Sequence, residues 1–345
     1  MENLQSMSDL WRNNTRDRGK TLLIVEGEHE KNTFFELIVK CFPRLNIKRE
    51  DIWIYGTNIY ILYGDIQEEY GTDWYQEDID LPYLISKKIS QDNIKYKEDY
   101  TNIILVFDYE RQEPLFSQET IMKMQQYFTD STDVGKLYIN FPMLESYQDF
   151  ADLPDENFLS RKYLAPFKKG TDYKSRVSKS IISRTVTLPS GIMEQLKTKF
   201  GVEDSDVCKE CAKQLLMISN SNELEKKVEP ILANVMADNQ YITAKYFFPR
   251  MLEGVGYIEK GRNYWEHMKN LFQQIIIHNI RKASMIQQIE SKDDKIKELY
   301  EKLDLLRILE IQNECSKDET GGFIWVLNTS VFVIADYNFS LVEEE

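Results

Sequence analysis

Near the amino-terminal end of the chain, short continuous apolar runs alternate with stretches whose apolar positions recur every three or four residues. Residues 22–25 (LLIV) are a run of the kind shown by a strand covered on both faces. Gly27 then offers the freedom for a sharp turn, and Phe34, Leu37, Ile38 and Cys41 fall at helical spacing. The pattern predicts strand, turn, helix over residues 21–42. A second buried run, residues 102–107 (NIILVF), leads to a helix over about 117–128, a loop over 129–135 and a short strand over 136–141 that Pro142 stops. Between these units, residues 51–66 alternate and are rich in aromatics, which predicts one or two strands around Gly56. Residues 70–80 read as a loop or insertion leading to a helix near 84–89. Strands alternating with helices over 20–145 imply an α/β fold with a mostly parallel, doubly wound sheet.

The pattern changes beyond residue 190. Residues 191–200, 205–219, 223–238 and 264–280 carry apolar side chains at three- and four-residue spacing, which predicts an added helical domain, with Trp265, Phe272, Ile275 and Ile276 as core. A long helix is expected over 284–313. In it Met285, Ile289, Ile296, Leu299, Leu303 and Leu306 form a stripe interrupted at Lys292, suited either to a coiled-coil dimer or to an arm packed on its own chain. Residues 323–337 (FIWVLNTSVFVIADY) read as a pair of C-terminal strands that return to a sheet or form a partner edge. The expected divisions are 1–160, 161–320 and 321–345.

Candidate chemistry lies where the apolar runs stop. Glu26 ends the first, at the carboxyl edge of a central strand, where open α/β sheets place ligands, and Glu28 and Glu30 fall in the following helical turn. The second run stops at Asp108-Tyr109-Glu110, and alternation along extended chain puts Asp108 and Glu110 on one side. Glu145, just past the third strand in YINFPMLESYQDF, either joins this group or caps a helix starting at Met143. At an effective dielectric near 20, two carboxylates about 5 Å apart repel by about 3 kcal/mol. A cluster of three or four therefore needs a hard cation, Mg²⁺ or Mn²⁺, on Glu26, Asp108, Glu110 and Glu30.

The order of these motifs, Glu26-Gly27-Glu28-His29-Glu30 and then Asp108-Tyr109-Glu110, resembles the TOPRIM domain of topoisomerases, bacterial primases and OLD-type nucleases. Glu stands at positions 30 and 110, where Asp is commoner in that family. The resemblance implies a TOPRIM-like catalytic domain and a metal-dependent endonuclease. With no GxxxxGK[ST] loop in the chain and a helical carboxyl half, the protein is most similar to stand-alone OLD-like effectors, the AriB type of PARIS phage-defence systems. What that implies is a toxic effector held by a separate ABC-type ATPase, a homodimer when active, and cleavage of host tRNA. Related TOPRIM nucleases cut DNA.

Charge qualifies this. The 345-residue chain carries a formal net charge of −14, which argues against holding nucleic acid by its overall field. Its basic residues concentrate in Arg161, Lys162, Lys168, Lys169, Lys174, Arg176, Lys179 and Arg184, against the single acid Asp172. That island is either a phosphate-contacting surface or a solvated or partner-binding one. Lys168, Lys169 or Lys174 could neutralise a transition state, and no sequence rule selects among them. Arg12, Arg16 and Arg18 would lie near the site. Cys208 and Cys211 form one Cys-x-x-Cys pair without further ligands, and His267 and His278 are isolated, so a zinc site is not expected. No apolar run reaches the ~20 residues of a membrane span, and the polar amino terminus lacks a signal peptide's apolar core. A cytoplasmic protein is expected.

Overall fold

The computed structural model describes residues 20–90, 93–164, 166–168, 170–222, 224–236, 238–290 and 295–343. Its centre is a five-stranded sheet of β1 (Thr21–Val25), β2 (Ile52–Ile54), β3 (Asn102–Asp108), β4 (Thr129–Asp130) and β5 (Gly135–Asn140), in the order β2-β1-β3-β5-β4. The β1–β2, β1–β3 and β3–β5 pairs are parallel, and β4 closes one edge as an antiparallel partner of β5. Every residue of β1 is buried, as the continuous apolar run requires of a strand covered on both faces. At Gly135, with φ near +109°, a Cβ would sit 2.9 Å from Leu105, so only glycine brings the two strands into this register.

The connections run over the sheet as helices. A π-helical turn, Glu30–Phe35, passes directly into α1 (Glu36–Cys41), burying Phe34, Phe35, Leu37, Ile38 and Cys41. The strand expectation for 51–66 holds only to Ile54. Residues from Ile59 form α2 (Ile59–Tyr70), because Asn58 caps the backbone N–H groups of Tyr60 and Ile61 and the buried residues Ile59, Leu62 and Ile66 share a helical face. α3 (Leu81–Lys88) and α4 (Gln118–Tyr127) follow where expected, capped by Asp80 and Ser117.

Beyond the sheet come β6 (Lys162–Tyr163), α5 (Gly170–Val177), α6 (Ile181–Thr198), α7 (Ser205–Leu216), α8 (Leu224–Ala233), α9 (Asp238–Glu253) and α10 (Tyr264–Ile286). α6 starts about ten residues before the expected helix, at a Ser180 cap, and runs on through Pro189. The helix expected over 284–313 is not continuous. α10 stops at Ile286 with Gln288 in the left-handed region, and α11 (Ile296–Tyr300) and α12 (Leu305–Cys315), the latter capped by Asp304, are separate. Lys292 lies outside the described residues. Leu299, Ile308 and Leu309 are buried in the chain's own core while Met285 is exposed, so no continuous coiled-coil seam exists among the described residues.

The C-terminal expectation is half met. β7 (Ile324–Trp325) pairs antiparallel with β6 in a separate two-stranded sheet, and Leu327 bridges to Phe141 beside β5. The rest of the apolar run becomes α13 (Phe332–Tyr337), with α14 (Ser340–Glu343) after it, since a run buried all round has no period to choose strand over helix. One continuous apolar core joins the sheet to the helices, with Phe272 of α10 packed against Phe34, Phe42 and Tyr147. No helix among the described residues is long and apolar enough to cross a membrane.

The return of the C-terminal segment rests on Asn140, the fully buried last residue of β5. Its Oδ1 accepts from the Ser330 N–H (3.2 Å) and hydroxyl (2.7 Å), while the Thr329 hydroxyl donates to the Ile139 carbonyl (2.8 Å). Asn140→Ala strands two buried donors, so chemical denaturation of this variant should show a loss of about 2–4 kcal/mol of stability.

Candidate functional site

The register Val25↔Val106 sets the ends of β1 and β3 side by side, so that Glu26 and Asp108 meet. The Asp108 N–H donates to Glu26 Oε2 at 3.3 Å, and the two acidic strand ends are in contact. Glu30 follows one helical turn later, buried, with Oε2 accepting from the Gly27 N–H at 3.0 Å. A Cβ at Gly27 would lie 3.2 Å from that oxygen, so a larger residue there would press on the Glu30 carboxylate.

Glu110 reaches the cluster by a different route from the one alternation predicts. β3 ends at Asp108, and Glu110 has φ near +40°, a left-handed conformation that non-glycine residues seldom adopt. Its carboxylate comes back to the other acids because the chain turns, Glu113 N–H donating to the Glu110 carbonyl at 2.9 Å. Glu145 is buried in a 3-10 turn, Leu144–Gln148, beyond β5. Its Oε1 accepts from Lys174 Nζ at 3.0 Å and lies 4.0 Å from His29 Nε2, while its Oε2 is buried with no hydrogen-bond partner.

The electrostatics tie these groups together. Burial, then Glu110 and Glu30, push the Glu26 carboxyl up to about 8, against the Asp108 N–H and Lys174, which favour the charged form. Glu26 keeps partial solvent contact, but the like charges act in the same direction as its burial. Asp108 is raised well above the carboxylate range by burial and then by Glu26, Glu30, Glu145 and Glu110. Glu110 is raised by burial, then by Glu113, Glu30 and Glu145, with Lys174 opposing. Burial of the Lys174 ammonium opposes its charge, but Glu145, Asp108 and Glu30 outweigh this and raise its pKa. The five acids read from the sequence thus share one field, with Lys174 as its cation.

No family model matches this chain, and neither does any curated protein or solved structure.

The other candidates separate clearly. Lys168 is exposed and forms no ion pair among the described residues; Lys169, with Arg12, Arg16 and Arg18, lies outside them. Arg161 pairs with Asp155 (2.9 Å) and Asp149 (3.8 Å), and Arg176 with Asp149, so these two cations are neutralised within the chain rather than offered as open charge. Lys162 lies over the rings of Phe323 (3.8 Å) and Trp325 (4.2 Å). Half of the basic island is therefore engaged within the chain, which composition cannot reveal because Asp149 and Asp155 precede it in sequence, while Lys168, Lys179 and Arg184 are exposed with no ion pair among the described residues. Cys208 and Cys211 are free, buried thiols on α7. His278 Nε2 accepts from the Asp155 N–H at 3.1 Å, and burial lowers His267 to about 4. Among the described residues no three His, Cys, Asp or Glu side chains stand close enough to hold a metal ion as placed.

Two site residues escaped the sequence reading. Asn140 is a polar residue closing a buried apolar strand, and Arg111 directly follows the second acidic motif; both positions were visible as breaks in pattern.

A proton bound more tightly by the fold than by the unfolded chain stabilises the fold fully below 4.5, and that gain is lost as pH rises toward about 8. Metal-free protein should therefore melt at lower temperature as pH increases through that window. In Glu26→Gln, scanning calorimetry should find a weaker dependence and a higher midpoint at the alkaline end; an unchanged slope would show that Glu26 titrates normally.

Proposed function

We propose that this chain is a TOPRIM-type, Mg²⁺- or Mn²⁺-dependent endonuclease. The observation that carries this reading is that Glu26, Glu30, Asp108, Glu110 and Glu145 act on one another at the carboxyl edge of a parallel sheet, where burial and then like charge push Glu26 up to about 8. The fit to a hard cation is supported by an all-oxygen donor set and by Glu145 Oε2, a buried acceptor without a donor. Glu26, Asp108, Glu110 and Glu30 would hold the ion, with Glu145 completing the set or orienting water. As placed, these carboxylates do not stand close enough to hold the ion, so binding would draw them inward.

When bound, the ion supplies an activated water and neutralises charge on the phosphodiester. The chain's own groups do the rest. Lys174, fixed by Glu145, offers an ammonium beside the acids to a phosphate developing negative charge. Gly27 leaves room for Glu30 and supplies the N–H that holds its carboxylate. Asp108 orients Glu26 through its backbone N–H.

The biological setting follows from the resemblance to AriB-type effectors: a toxic anti-phage nuclease acting in abortive infection in the cytoplasm, restrained by an ABC-type ATPase, active as a homodimer and cutting host tRNA. DNA is the alternative substrate of the same chemistry. A second reading, a regulatory subunit with a degenerate TOPRIM site, draws support from the Lys174–Glu145 ion pair, which partly neutralises the cluster without any metal.

Plasmid DNA, single strands and total tRNA incubated with Mg²⁺ or Mn²⁺ should distinguish them. Wild type should cleave at least one, and Glu26→Ala should lose about 100-fold or more of that activity. Equal cleavage by both would remove Glu26 from the chemistry, while metal binding without cleavage would leave the regulatory reading.

A further inference from the structure

Arg111 stands at the edge of the carboxylate cluster, directly after Glu110. It lies two residues before Glu113, yet it pairs with neither acid and with no other carboxylate among the described residues. An arginine between two acids ordinarily collapses onto one of them. Here the guanidinium lies against two rings, its Cζ 4.3 Å from the centre of Phe116 and 4.4 Å from that of Phe167, and its Nε is buried with no partner among the described residues.

The first ring is rigidly founded. Phe116 packs edge-on against Tyr60 (5.6 Å) and Tyr109 (5.3 Å), and the Tyr60 hydroxyl donates to the Tyr109 carbonyl at 2.9 Å. The Tyr109 hydroxyl is fixed in turn by Asn313 (2.7 Å) and Ser316 (2.9 Å) of the C-terminal region. The same Tyr60 phenol feels Glu110, Arg111 and Glu26, which sets the guanidinium beside the acids rather than on a remote surface. The second ring belongs to the segment that delivers Lys174. Phe167 precedes Gly170, where a Cβ would fall 2.2 Å from Met143 Cε and 3.8 Å from Gln112 Nε2, so this segment crosses closely over the loop after β3. One end of it covers Arg111, and the other sets Lys174 on Glu145.

A guanidinium held against two rings keeps its charge, loses little freedom on binding, and carries N–H groups in a fork that matches two oxygens of one phosphate. A buried donor without an acceptor is costly unless a ligand or water supplies one. We infer that Arg111 is a phosphate-binding residue of this site, gripping the backbone phosphate next to the one at the carboxylates. Arg111 and Lys174 then bracket the acidic cluster, one cation for a neighbouring phosphate and one for the phosphate that reacts. An acidic protein thereby gains local purchase on a polyanion that its overall field repels. The assignment rests on the nuclease reading, and it identifies the substrate as a phosphodiester polymer rather than a single nucleotide.

The test uses the full-length chain with Ca²⁺ in place of Mg²⁺, a fluorescently labelled RNA oligonucleotide and its DNA counterpart, and binding followed by anisotropy over a range of KCl. Arg111→Ala should weaken binding about 10-fold or more and lower the slope of log K against log salt by about 0.7 to 0.9, the value of one lost phosphate contact. Arg111→Lys should keep the slope, because the charge remains, without recovering the affinity, because the fork is lost. In cleavage with Mg²⁺ both variants should raise KM more than they lower kcat. If wild type cleaves and Arg111→Ala binds with unchanged affinity and slope, the nuclease reading stands and this assignment is overturned. Should Arg111→Ala fail to fold by circular dichroism, wild-type affinity in Arg111→Lys overturns it equally. A wild type that neither binds nor cleaves any polymer overturns both.

Discussion

Everything at this site depends on the burial of several carboxylates at one edge of the sheet, where each disfavours the charged form of its neighbours. Parallel pairing of β1 and β3 in the register Val25↔Val106 fixes the backbone on which Glu26 and Asp108 stand. Two such charges about 5 Å apart cost about 3 kcal/mol at an effective dielectric of 20, and Glu30, Glu110 and Glu145 add to the total. The compensations within the chain are few: the Gly27 and Asp108 N–H groups, and the Lys174 ammonium. They fall short of burial and like charge acting together, which is why Glu26 and Asp108 hold their protons above the usual carboxylate range.

The rest of the chain serves to hold that edge in place. α10 presses Phe272 against Phe34 and Tyr147, so the helical region braces the first turn of the acidic unit and the loop that carries Glu145. The C-terminal segment threads back along β5 through Leu327, Thr329 and Ser330, and the α12 end fixes Tyr109 between the two acids of the second motif. α5 hangs Lys174 over the cluster and anchors Arg176 and Tyr173 on Asp149. What the sequence divides into catalytic, helical and C-terminal portions is thus joined by one core and by polar bonds that span it.

The acidic strand ends were legible because a strand covered on both faces must be apolar throughout, so a carboxylate at its end stands out as a break. Residues 22–25 and 103–107 behave that way, and so, from Leu137 on, does the strand before Asn140. Legibility fails where several conformations share one pattern. The stretch from Ile59 alternates as well as it winds, and the Asn58 side chain decided for helix. The apolar run after Val331 has no period at all. The 284–313 stripe broke where Asp304 offered a new cap. Alternation misjudged Glu110, since a left-handed residue leaves the strand geometry on which alternation depends. The choice of Lys174 over Lys168, and the internal pairing of Arg161 and Arg176, depend on contacts across the fold that no local pattern records.

The central claim is that these acids form a seat for a divalent ion. Crystals of the chain soaked in Mn²⁺ and measured for anomalous scattering would test it directly. The account predicts a peak bounded by Glu26, Asp108 and Glu110, with those carboxylates drawn inward to the 2.0–2.2 Å or so expected of oxygen on such an ion. Full Mn²⁺ occupancy elsewhere, with these side chains still apart and Lys174 still on Glu145, would contradict it.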